Sequence, residues 1–215
     1  MNMNHIIKIL LISDVFILTG FGLMSPILAI FFKENLTGGT IISAGIASTV
    51  FMVVKCSIQL PFSRYVDKQK FYQRVSWLTI GSFLMAIVPF IYIFAVDMSV
   101  IYIAQAVYGI GSGLAYPTWV ELWTTHLDRR HESFEWSLYS SLVGIGTAAS
   151  AVIGAVVAQY AGFNATFIMV GIVSLMGFFT LFGLEKKKRS LRFWKKTSTT
   201  YHKRRKLVDG NDRGV

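Results

Sequence analysis

The chain has 215 residues, of which 53% are hydrophobic and only 15% charged, well below the roughly 25% charged of a soluble domain. A water-soluble fold cannot bury that much apolar surface, so the composition excludes a soluble enzyme or binding domain and points to the bilayer. The formal net charge of +10 arises almost wholly in residues 185–215, where twelve Lys and Arg face three acids.

Bilayer hydrocarbon is about 30 Å thick, so a spanning helix needs roughly 20 apolar residues. Residues 15–32, 35–54, 75–96, 98–120 and 136–184 carry no Asp, Glu, Lys, Arg or His. These runs predict six transmembrane helices, near 6–32, 41–60, 75–96, 99–122, 136–160 and 163–184. The stretch Tyr160-Ala161-Gly162-Phe163-Asn164 divides the last two. The first run is too long for a secretory signal peptide, and more spans follow it.

In the first span, GFGLMSP (20–26) places Gly20 and Pro26, and Asp14 lies eight residues in from the start of the predicted helix. The second span carries Lys55 five residues before its end, followed by Cys56, a lone thiol with no internal disulfide partner. At about 1.5 Å per residue, Asp14 and Lys55 both sit roughly 8–12 Å deep. Charges in hydrocarbon are costly and mark a pathway or a pair. Opposite charges at one depth on neighbouring helices predict an Asp14–Lys55 ion pair. The fourth span contains GSGLAYP (111–117), with Gly109, Gly113 and Pro117. Its Gln105, Tyr108, Ser112, Tyr116 and Trp119 recur at steps of three and four and share one face. That stripe reads either as the wall of a solute cavity or as a set of interhelical hydrogen bonds. The loop THLDRRHESFE holds His126, Asp128, His131 and Glu132, but the spacing matches no metal motif. In the fifth span, Gly146, Ser150, Gly154 and Ala158 repeat every four residues and predict a close helix contact. Pro26 and Pro117 each remove a backbone hydrogen bond and are the expected bending points.

GFGLMSP and GSGLAYP share Gly-x-Gly-Leu-x-x-Pro at an offset of 91 residues. The same offset carries each of the first three spans onto one of the last three. Three is odd, so the second unit must enter from the opposite face, which is an inverted repeat, a common plan of secondary transporters. Cytoplasmic loops carry excess Lys and Arg. Arg64, Lys68, Lys70 and Arg74 after the second span, Arg129 and Arg130 after the fourth, and the tail set both termini in the cytoplasm. The expected division is a six-helix domain, 1–184, with repeats about 6–96 and 99–184, and a basic tail, 185–215. That tail suits anionic lipid headgroups rather than nucleic acid, with Phe193 and Trp194 at the interface and its final residues disordered.

These residues resemble the major facilitator superfamily over about 6–184, as one six-helix half of the usual twelve. SRYVDKQKFYQR is similar to the cytoplasmic loop motif Gly-x-x-x-Asp-Arg-x-Gly-Arg-Arg, with Asp67 kept, Lys68 for Arg and Ser63 for the leading Gly. The resemblance implies a latch on the cytoplasmic face, carried by Arg64, Asp67 and Lys68. GFGLMSPILA is similar to the family's first-helix motif, with Gly20 and Pro26 kept, and QAVYGIGSG to its fourth-helix motif, with Gly109 kept. Gln105 stands where the family often has an Arg tied to proton handling. GTAASAVIGA keeps Gly146 and Gly154 of the drug-antiporter motif but not its Gly-Pro.

The implied fold is an all-α polytopic membrane protein, and the implied activity is secondary transport of a small solute by alternating access, with no enzymatic step, cofactor or metal. A rhomboid-type protease is excluded, since Ile110 stands where its Gly-x-Ser-Gly motif needs the first Gly and the later spans lack a His base. A non-transporting membrane scaffold is the remaining alternative. The candidate cavity residues are Asp14, Lys55, Gln105, Tyr108, Ser112, Tyr116 and Trp119. Six helices line one side of a family-type pathway, so the expected active form is a parallel homodimer in the cell membrane.

Overall fold

The computed structural model describes residues 3–184; the basic tail and its expected lipid contact fall outside the described residues. The helices are α1 (His5–Met24), α2 (Leu28–Asn35), α3 (Ile41–Val66), α4 (Phe71–Ile93), α5 (Met98–His126) and α6 (Glu132–Thr180). Five stretches are long and apolar enough to cross a bilayer, namely α1, α3, α4, α5 and residues 132–184. The last is 53 residues, or about 80 Å as one helix, far more than the roughly 30 Å of a bilayer core. Gly162, with φ 85° and ψ 167°, breaks it into two limbs. A positive φ is open to Gly at no steric cost, and no other residue type would hold this break cheaply.

Local chemistry sets the other ends. Asn4 caps α1 by accepting from the Ile6 N–H (3.1 Å). Thr40 and Ser43 form a reciprocal capping box on α3. Asp97 accepts from the Ser99 and Val100 N–H groups and starts α5. The expected single helix over 6–32 is interrupted at residues 25–27, because Pro26 has no N–H to continue the ladder; the Ile27 N–H turns back to the Met24 carbonyl (3.1 Å). Pro117 does not interrupt its helix, and α5 is unbroken to His126. Two loops at one end of the bundle are tied together, since Thr37 donates to Val96 and accepts from Met98.

Gly pairs fix how the helices approach. A Cβ on Gly20 would meet Ser174 and the Val170 carbonyl, and one on Gly22 would meet Ser150 and Thr147. A Cβ on Gly154 would overlap the Leu23 carbonyl. The two limbs of α6 therefore lie in opposite sense along α1, the first parallel to it and the second antiparallel. The second Gly-x-Gly does the same on α5: Gly111 abuts Gly81 and Met85 of α4, and Gly113 abuts Lys55 and Ile58 of α3. Gly109 rests on the Phe51 carbonyl of α3 and Gly146 on Thr19 of α1. The small-residue ridge of the first α6 limb thus meets another backbone, as its spacing predicts.

Burial is uneven. α5 is the central helix and buries thirteen residues, whereas α3 buries only Ser43, Ala47 and Val66. The outer faces of α3 and the first α6 limb expose Ile42, Val53, Leu60, Ile145 and Val152.

Candidate functional site

Two cavities lie between these helices, one above the other. The larger, about 770 Å3, is lined by α1, α2, α3, α5 and the first α6 limb, with Phe21, Pro26, Ser48, Gln105, Tyr108 and Thr147 in its wall. The smaller, about 230 Å3, lies closer to the start of α1 and the end of α3, and Asp14, Lys55, Tyr108, Ser112, Tyr116, Trp119 and Tyr139 face it. All seven residues of the predicted cavity set line one or both spaces. The stripe on α5 therefore borders these spaces, with Gln105, Ser112 and Trp119 buried and Tyr116 half-exposed.

Tyr108 separates the two spaces. Its ring is stacked between Phe21 of α1 and Phe51 of α3, with centroids 4.5 Å away on each side and planes within 12° and 18° of parallel. Offset stacking of this kind contributes about 0.5–1.5 kcal/mol per pair beyond area burial.

The expected ion pair is corrected by the side chains. Asp14 and Lys55 line the same cavity but form no salt bridge, and Asp14 Oδ2 instead accepts from the Tyr139 hydroxyl at 2.5 Å. Lys55 Nζ lies 5.7 Å from the Phe51 ring centre and 5.1 Å from that of Tyr116. Equal depth places two residues at one height, but it does not say which way around its helix each one points. A phenol lying nearer to Asp14 takes the bond.

Below this cavity the helices are closed by an aromatic cluster and an ion pair. Trp119 and Trp123 stack at 4.9 Å, and Trp136 and Tyr139 pack against both. Arg74 at the start of α4 pairs with Glu121 near the end of α5 at 2.5 Å. The same guanidinium donates to the Asp67 carbonyl (3.0 Å) and the Val66 carbonyl (3.2 Å). The α3–α4 loop, where a latch is expected, is thus held through its main chain, while Arg64, Asp67 and Lys68 stand exposed. Both members of the pair keep only 16% side-chain exposure, so salt screens it less than a surface pair.

Arg74, Glu121, Tyr139, Phe21 and Phe51 are the site residues that sequence reasoning missed. Glu121 had one visible signal, since it is the acid that ends the charge-free run 98–120. The loop after α5 is organised by Asp128, which accepts from the Arg130 N–H and from His131 Nδ1. Those two bonds hold its carboxyl below the usual range. Among the described residues no three His, Cys, Asp or Glu side chains converge as a metal site would require.

The family model described as Major Facilitator Superfamily matches residues 10–208. No curated protein matches the chain.

Proposed function

The chain belongs to the major facilitator superfamily, and from that premise we propose that it carries a small solute across a cell membrane by alternating access. It is an all-helical multi-pass membrane protein of a family whose members are transporters. The observation that carries the proposal is the vertical order of the site: a wide cavity, a stacked Tyr108, a smaller charged cavity, and an Arg74–Glu121 closure beneath. A closed end opposite a wide cavity is one half of an alternating cycle, and a single Arg–Glu pair is a contact that such a cycle would break and re-form.

The proposed architecture is six spans in two inverted repeats, with both termini in the cytoplasm. The two Gly-x-Gly pairs support it. Gly20 and Gly22 meet the third and second helices of the second repeat, and Gly111 and Gly113 meet the third and second helices of the first. An exchange of equivalent contacts between repeats is what a pseudo-twofold axis requires. The six-span unit is proposed to face a second copy across the pathway, since α3 and the first α6 limb flank the wide cavity and leave apolar faces open.

The test is solute flux. Purified protein in liposomes, screened with a metabolite library under ion gradients, should accumulate or exchange at least one small solute. Glu121→Lys, which sets two cations together at the closure, should reduce that flux. Liposomes that carry well-folded protein and move no solute would leave the scaffold reading in place.

A further inference from the structure

The cavity beneath Tyr108 holds two opposite charges that do not touch. Asp14 gives Oδ2 to Tyr139, and its Oδ1 has no hydrogen-bond partner among the described residues. Lys55 has no carboxylate within ion-pair distance among the described residues and rests over the rings of Phe51 and Tyr116. Both side chains line the same space of about 230 Å3. A charge at this depth is costly without a partner. Two such charges, of opposite sign and separated across one cavity, are matched by a guest that carries both signs.

We propose that this cavity binds a small zwitterion of the amino-acid or betaine type, with its ammonium at Asp14 and its carboxylate at Lys55. The proposal rests on the transporter reading and names the solute class for the same site. The charges of the site cancel, so a zwitterion leaves neither unpaired, whereas a guest of one sign leaves one of them without a countercharge. The volume equals that of about seven or eight waters at roughly 30 Å3 each, which is the scale of one amino acid rather than a drug. Tyr116, Trp119 and Phe51 also line the space and supply aromatic surface for an ammonium or an apolar side chain. Ser112, buried in the same wall, adds a hydroxyl for a carboxylate oxygen.

The experiment measures binding to the purified full chain by thermal stability and Trp fluorescence at neutral pH. The probes are the common amino acids and glycine betaine, each compared with a single-sign relative. For phenylalanine these are phenylalaninamide, which carries no anionic group, and 3-phenylpropionate, which carries no cationic group; for betaine the cation is choline. At least one zwitterion should bind, with its single-sign relatives about tenfold to a hundredfold weaker. Lys55→Met should erase the preference over the amide, and Asp14→Asn the preference over the des-amino acid. The wild-type comparison decides the matter even where a variant fails to fold. The proposal is overturned if no zwitterion binds, or if an amide or des-amino acid binds as well as its parent. Flux of a neutral or single-sign solute would overturn it while leaving the transporter reading intact; loss of all flux would instead strike that reading.

Discussion

The Tyr139 hydroxyl donates to Asp14 Oδ2 at 2.5 Å, joining the first limb of α6 to α1 across 125 residues of sequence. A carboxylate at bilayer depth has few other donors, so removing this one leaves an oxygen unsatisfied. Tyr139→Phe should therefore cost about 1–3 kcal/mol in unfolding free energy. In an Asp14→Asn background the same change should cost much less, since the charge that needed the donor is gone. A double-mutant cycle by thermal or denaturant unfolding reads the coupling; strictly additive losses would show that the bond contributes nothing.

Arg74 and Glu121 make the second prediction. Removing one partner of a buried pair costs about 3–5 kcal/mol, and partial exposure lowers that here to about 1–3 kcal/mol. Because the pair joins the α3–α4 turn to the end of α5, its loss should open that end, cytoplasmic in the proposed orientation, rather than unfold the bundle. A cysteine at Ser112, in a Cys56→Ser background, should react faster from the cytoplasmic side in Arg74→Ala or Glu121→Gln. The exchange Arg74→Glu with Glu121→Arg should slow it again. Unchanged reactivity in both single variants would rule out a closing role.

How much of this was legible in the sequence depends on the geometry each feature needs. Charge-free runs located the five long apolar stretches, because length and polarity are what make a segment able to cross a bilayer. The Tyr-Ala-Gly stretch marked the break at Gly162, since a positive φ needs Gly. The α5 stripe was legible because 3.6-residue periodicity converts spacing into a shared face. Tyr139 and the Phe21–Tyr108–Phe51 stack were not, because each depends on how one helix is rotated against another, and no local spacing encodes that. Asp14 and Lys55 show the same limit: their common cavity followed from depth, but their separation did not. Pro26 was visible as a weak point, yet Pro61, Pro89 and Pro117 leave their helices unbroken, so the residue type alone did not announce the interruption.

Gly154 provides a packing test. It sits directly against the Leu23 carbonyl, whereas Gly144, ten residues earlier on the same limb, has nothing within 4 Å of an added Cβ. Gly154→Ala must push α1 away from α6 and should destabilise by about 1–3 kcal/mol, the usual range for overpacking. Gly144→Ala meets no such contact and should be neutral or slightly stabilising, as Ala is the better helix former. Equal effects on folded yield and melting temperature would contradict the close approach.

Topology can be tested one residue at a time. The positive-inside rule puts Lys68 and Arg130 in the cytoplasm and Gly38, Asp97 and Gly162 outside. Single cysteines at these positions, with Cys56→Ser, should label with an impermeant maleimide in intact cells only at 38, 97 and 162. The hydrogen bonds between Thr37 and residues 96 and 98 already hold two of these loops at one end. Strong labelling at 68 would invert the orientation.

The last prediction concerns what covers α3 and the first limb of α6. Only three α3 residues are buried, and Ile42, Val53, Leu60, Ile145 and Val152 stand exposed on the outer faces of the two elements, whose Ala44, Ser48, Val143 and Thr147 line the wide cavity. In hydrocarbon an exposed apolar face is no liability, so exposure alone does not demand a partner. The cavity does: polar Gln105, Ser48 and Thr147 line it, and polar groups at bilayer depth belong against protein or water rather than lipid. A parallel second copy about a twofold axis, the commonest oligomer symmetry, would place the same two helices opposite each other and roof the cavity. Single cysteines along α3 and the first α6 limb should then crosslink between copies in native membranes, with strong positions recurring every three to four residues on the cavity side. Cysteines on the outer face of α4, such as at Ile80 or Phe83, should not. Mass measurement in mild detergent should show two chains. Monomers by both methods, in protein that still moves solute in liposomes, would mean that one copy suffices and that something else roofs the cavity.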